Sequence, residues 1–177
     1  MLKMFSTQLA GLFGRIHDKQ EENFEDGARL LAQAIAGAGR IFIFGKGEMA
    51  AVGLEAASGA EPLAGVVVWD GQEREDFSAA DRALVFARYS TDPEAVHAAQ
   101  VLQNNGIPFT AVSTVAEGEG DSASLVDLAD VHLDLMLKRG LLPDETGGRF
   151  GFPAPIAALF VYYGLKFTIE EILADYE

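Results

Sequence analysis

Lys46 stands between two glycines in Gly45-Lys46-Gly47, and Arg88 precedes Tyr89-Ser90-Thr91-Asp92-Pro93, so two short segments each join a cation to glycine or hydroxyl neighbours. Backbone N–H groups left open at a tight turn or at the start of a helix attract an anion by hydrogen bonding and by the helix dipole. Ser113 and Thr114 bring two more hydroxyls in a third segment. Together these residue types suit the holding of a phosphate on a small molecule. Glu48 opposes that role at the first segment, because a carboxylate in the first turn of a helix repels a phosphate lodged there. The segment Ser90-Thr91-Asp92, with Arg88 beside it, is therefore the better anion site.

The first segment also supports a different chemistry. Gly45-Lys46-Gly47-Glu48-Met49-Ala50 satisfies G-x-G-x-x-A, and Asp70 ends the next apolar run, where a dinucleotide fingerprint places its ribose-binding acid. An NAD-binding oxidoreductase is thus one alternative to a phosphorylated ligand, and an interaction or regulatory protein without a ligand is another. The histidines carry less. His97 falls opposite Ala95, Ala98, Ala99 and Leu102 on a helical spacing, His17 belongs to the polar side of the first helix, and His132 with Asp134 lacks further metal ligands. No metal and no cofactor are expected on the main reading.

These segments need elements to position them. Leu2, Phe5, Leu9, Leu12, Phe13 and Ile16, then Phe24, Ala28, Leu31, Ala32 and Ile35, recur at three- and four-residue steps, which predicts helix through residue 38. Gly37 and Gly39 end it. Residues 40–44, 65–69, 83–87, 108–113 and 131–135 read as five strands, the first four apolar throughout and so buried on both faces. Helices are expected from Glu48 to Ser58, from Pro93 to Asn104 with Asp92 as its cap, and over residues 153–173. Glu117-Gly118-Glu119-Gly120-Asp121 reads as a solvated acidic loop. Alternating helices and buried strands predict an α/β fold: a three-layer α/β/α sandwich around a five-stranded parallel sheet in the order 2-1-3-4-5, with a helical N-terminus, all in one domain over residues 1–177. In that order the segments after the first and third strands face each other across a crevice.

Composition bounds the partners. The chain has 177 residues, 13 Lys plus Arg against 27 Asp plus Glu, a net charge of −14, and no cysteine. So acidic a surface disfavours nucleic acid and anionic membrane, and the missing thiols exclude disulfides, thiolate catalysis and cysteine-ligated metals. Residues 1–17 read as amphipathic helix rather than a leader, and the apolar run from Phe150 to Leu165 is too short for a bilayer and carries Pro153 and Pro155. A cytoplasmic protein is expected.

Taken in chain order, the helical N-terminus, Ile41-Phe42-Ile43-Phe44-Gly45-Lys46-Gly47, Arg88-Tyr89-Ser90-Thr91-Asp92-Pro93-Glu94, Thr110-Ala111-Val112-Ser113 and Ala129-Asp130-Val131-His132-Leu133 resemble a sugar isomerase (SIS) domain over residues 4–170. Within that family the chain is most similar to short bacterial members grouped with phosphoheptose isomerase. The resemblance implies a phosphorylated sugar or sugar derivative as ligand, a homodimer, and either isomerase or sensing activity. It differs where the family has hydroxyls: Glu48 and Met49 follow the first loop, and Tyr89, Ser90 and Asp92 replace a serine, a glycine and a hydroxyl residue in the second. The resemblance also implies a carboxylate base after the first loop, with Glu61 the candidate and Glu55 the weaker one. Altered phosphate loops imply ligand binding without efficient aldose–ketose isomerisation.

Overall fold

The computed structural model describes residues 1–116 and 123–175. Side chains alternate across a strand, so a strand apolar at every position needs cover on both faces. Ile41, Ile43, Leu84, Phe86, Val112 and Leu133 enter one core, and Phe42, Phe44, Ala83, Val85, Phe109 and Ala111 enter another on the opposite face. The strands that carry them are β1 (Ile41–Gly45), β2 (Val66–Trp69), β3 (Arg82–Tyr89), β4 (Phe109–Thr114) and β5 (Val131–Asp134). They form one sheet in the order β2-β1-β3-β4-β5 with every pairing parallel. The first core is closed by α1 (Leu2–Ala36), α2 (Ala50–Ser58) and α5 (Ala154–Ala174); the second by α3 (Pro93–Asn104) and the single turn α4 (Leu125–Leu128). The expected α/β/α sandwich and strand order are what the chain adopts.

Two helices dominate the first face. Phe13 of α1 stacks on Phe160 of α5, centroids 4.3 Å apart and planes 8° from parallel, and the Phe24 ring lies so close to Gly164 that a Cβ there would sit 2.6 Å from it. The first turns of α1 have little to lean on. Met1 and Leu2 are 86% and 78% exposed, and full burial along this helix begins only at Leu12.

Several expectations are corrected in detail. As an edge strand, β2 is only partly covered, and Val68 is exposed rather than buried. The helix expected from Glu48 begins as a 3₁₀ turn, Gly47–Met49, and becomes α-helical at Ala50. A hairpin of β6 (Leu142–Pro143) and β7 (Arg149–Phe150), unmarked by periodicity, sits between β5 and α5. Its turn is held by Asp144, which accepts the N–H groups of Thr146 and Gly148. The acidic loop expected at residues 117–121 lies outside the described residues. No helix among the described residues is long and apolar enough to cross a membrane.

Candidate functional site

The chain leaves β1 toward α2 on the first face and leaves β3 toward α3 on the second, so a crevice opens between the carboxyl ends of these neighbouring strands. Gly45 makes the exit from β1 possible. A Cβ at this position would lie 2.4 Å from the Met49 carbonyl oxygen, so any other residue would force the backbone of the turn to shift. Gly47 follows with φ of +56°, a left-handed conformation that glycine adopts without strain. The turn sets Lys46 and Glu48 at the mouth of the crevice. On the other side β3 runs two residues further than its apolar pattern implies, with pairing to β4 interrupted after Phe86 and resumed at Tyr89↔Thr114. Arg88 and Tyr89 therefore sit on the end of a strand rather than in a loop.

Glu48 and Arg88 meet across the gap. The Arg88 Nε donates to Glu48 Oε1 at 2.7 Å, and a second guanidinium nitrogen pairs with the same oxygen. Partial burial pushes the Glu48 carboxyl up, but its own backbone N–H and the Arg88 hydrogen bond outweigh this and hold it below the usual carboxylate range. The same hydrogen bond raises Arg88. Beside the pair is an open cavity of about 440 Å³, lined by Glu48, Arg88, Tyr89, Phe152 and Pro155. The last two come from the start of α5 and its approach. Sequence reasoning missed this pairing, although a lone acid and a lone base on the two segments flanking the strand-order reversal were a readable signal.

Most hydroxyls expected to line the site serve as internal fasteners. Ser90 Oγ accepts the Ala116 N–H at 3.1 Å, Thr114 Oγ1 accepts the Leu137 N–H at 3.3 Å, and Ser113 Oγ is 2.8 Å from His132 Nε2. All three residues are buried. Asp92 precedes α3 but does not cap it. Its Oδ2 reaches back to accept the N–H groups of Arg88 and Tyr89 at 3.0 and 3.1 Å. Thr91 is exposed on the rim of a neighbouring cavity of about 340 Å³. Lys46 Nζ lies 3.8 Å from Glu94, with both side chains mostly in solvent. The structure thus places Gly45, Lys46, Gly47 and Arg88 at the crevice, Thr91 and the largely buried Thr114 along the neighbouring cavity, and Ser90 and Ser113 beneath.

The carboxylate candidates are elsewhere. Glu55, part-way along α2, accepts a hydrogen bond of 2.5 Å from the Tyr163 hydroxyl of α5. Glu61 is exposed past the far end of α2, just before the chain reaches the start of β2, at the amino ends of the strands and away from the crevice. Asp70 lines a smaller cavity of about 220 Å³ with Lys46, Gly71 and His97, and its Oδ1 accepts the Gln72 N–H. The residues of the dinucleotide fingerprint are therefore near one another, but Glu48 occupies the first turn where a pyrophosphate would rest. A further cavity, about 530 Å³, is lined by none of the residues at the strand ends. It lies between α1 and α5 and is rimmed by Glu21, Glu25, Glu171 and Asp175, a setting that repels anions.

Residues 1–173 match the model of a family described as a domain of unknown function, DUF2529. The chain belongs to the DUF2529 family. A relative from Bacillus subtilis (strain 168), the uncharacterized protein YwjG, is 42% identical over 176 residues, 99% of each chain. Among solved structures, the DUF2529 chain is similar to the Vibrio vulnificus NanR protein complexed with ManNAc-6P, with a TM-score of 0.68 and 18% identity over 99% of this chain and 64% of that one. It is also similar to phosphoheptose isomerase GmhA from Neisseria gonorrhoeae, with a TM-score of 0.61 and 12% identity over 97% of this chain and 100% of that one. These likenesses place the DUF2529 chain in the sugar isomerase fold. The resemblance to that fold, seen in the sequence, holds in three dimensions.

Proposed function

We propose that this DUF2529 protein binds a phosphorylated sugar or sugar derivative in the crevice between the ends of β1 and β3, as a homodimer, and acts as a sensor or an altered isomerase. The observation that carries the reading is Arg88, a guanidinium at the strand-order reversal beside an open 440 Å³ cavity. A guanidinium there offers a phosphate two parallel hydrogen bonds. It takes over from the buried hydroxyls the task of holding the anion. The fold neighbours support the ligand class: one is a complex with ManNAc-6P and another is a phosphoheptose isomerase.

Glu55 is tied to Tyr163 and Glu61 stands at the far end of α2, so neither carboxylate faces the Arg88 cavity within one chain. We therefore expect binding without efficient isomerisation. The test is thermal unfolding in the presence of glucose 6-phosphate, fructose 6-phosphate, sedoheptulose 7-phosphate, muramic acid 6-phosphate and NAD. A ligand specific for the folded state at a hundred times its Kd stabilises by about 2.7 kcal/mol. Stabilisation by one or more sugar phosphates, lost in Arg88→Gln, supports the reading. Stabilisation by NAD alone, lost in Asp70→Ala, would replace it with the dinucleotide reading.

A further inference from the structure

We propose that Glu48 is a resident competitor for the ligand's anion, and that it makes the crevice select doubly charged phosphate esters over singly charged groups of the same shape. This deepens the reading above and rests on it. Both nitrogens that Arg88 directs at Glu48 are engaged by one carboxylate oxygen, so the guanidinium is already neutralised before any ligand arrives. The neighbouring backbone N–H groups of Arg88 and Tyr89 are likewise engaged, by Asp92. An entering anion that takes the Nε edge of the guanidinium fork must therefore displace Glu48 from it.

Glu48 is the partner that can yield. Its side chain is 34% exposed and begins in a 3₁₀ turn at the rim, so on release it turns into water and remains solvated. Asp92 is held by two backbone donors at the root of α3 and stays. Replacing Glu48 by a carboxylate or a sulfate ester exchanges one single charge for another. The exchange gains nothing at Arg88 and leaves Glu48 nearby to repel the newcomer. A phosphate monoester carries a second charge above its second ionisation near pH 6, and its three oxygens pair with the guanidinium fork more strongly than the lone oxygen it displaces. The family pattern of neutral hydroxyls has no such built-in anion; here an acid–base pair does the selecting.

The experiment compares glucose 6-phosphate with glucose 6-sulfate by titration calorimetry at pH 8, on wild type, Glu48→Gln and Arg88→Gln. Unliganded melting temperatures confirm that each variant is folded, and Glu48→Ala serves as a second removal of the charge. The expected result is phosphate binding by wild type with sulfate weaker by at least about ten-fold, and in both Glu48 variants tighter binding of each ester with the ratio reduced several-fold. Phosphate binding unchanged in both Glu48 variants but lost in Arg88→Gln would overturn the role of Glu48 while leaving the crevice reading intact. No binding of either ester to wild type or to the Glu48 variants would overturn both.

Discussion

Asp92 and Glu48 are the two side chains whose placement most changes the reading of the site. Before Pro93, Asp92 has the position of a helix cap, yet its carboxylate folds back onto the end of β3. Asp92→Ala should therefore loosen the Arg88-Tyr89 end of β3, lowering stability by about 1 kcal/mol, since water can reach the freed N–H groups. Denaturant unfolding measures it, and a larger effect on α3 exchange than on the β3 end would argue for a capping role instead. His132 gives a pH-dependent counterpart. Burial lowers its pKa below 6.5, with the Asp134 charge opposing, so the unfolded chain takes up a proton that the folded one refuses. Stability from this group is present above pH 6.5 and is lost as pH falls below it. The melting temperature should drop between pH 7.5 and 5.5, and His132→Asn should flatten that part of the profile. The residue types at the site were legible in the sequence, but not their partners. Ser90, Ser113 and Thr114 are hydroxyls in the right segments, but strand register buries Ser113 and Thr114, and the Ser90 N–H bond to the Thr114 carbonyl holds Ser90 against the end of β4.

At the scale of elements, the strands and long helices follow from patterning, because apolar strand runs, deeply buried in β1, β3 and β4, and amphipathic spacing leave little freedom. Where the chain's own pattern is silent, the structure differs. The β6–β7 hairpin is short and mostly exposed, so it leaves no periodic mark, and β3 extends over Arg88 because β4 offers it pairing through Thr114 rather than because its side chains are apolar. The G-x-G of the first loop has a structural meaning independent of any ligand: Gly45 lies beneath the Met49 carbonyl. Gly45→Ala should cost roughly 1–3 kcal/mol through overpacking and should displace the turn that carries Glu48. A variant as stable as wild type would show that the turn relaxes freely and that the loop is not rigidly set.

For the whole molecule, the acid-rich surface and the exposed start of α1 pull in different directions. Net charge of −14 keeps chains apart, yet Met1, Leu2 and Met4 leave apolar surface at the end of a helix that carries Lys3 and Arg15 and no acid before Asp18. We expect association through this end of α1 despite the net charge. Sedimentation at micromolar concentration should report twice 18.9 kDa, and Leu2→Glu with Met4→Glu should return the monomer. A wild-type monomer would contradict the assembly. The crevice between β1 and β3 is the proposed place where a phosphorylated sugar is held. A crystal structure grown with fructose 6-phosphate tests this most directly: the phosphate should rest on the Arg88 guanidinium with Glu48 turned into solvent, whereas a sugar phosphate bound elsewhere, with the Glu48–Arg88 pair intact, would contradict it.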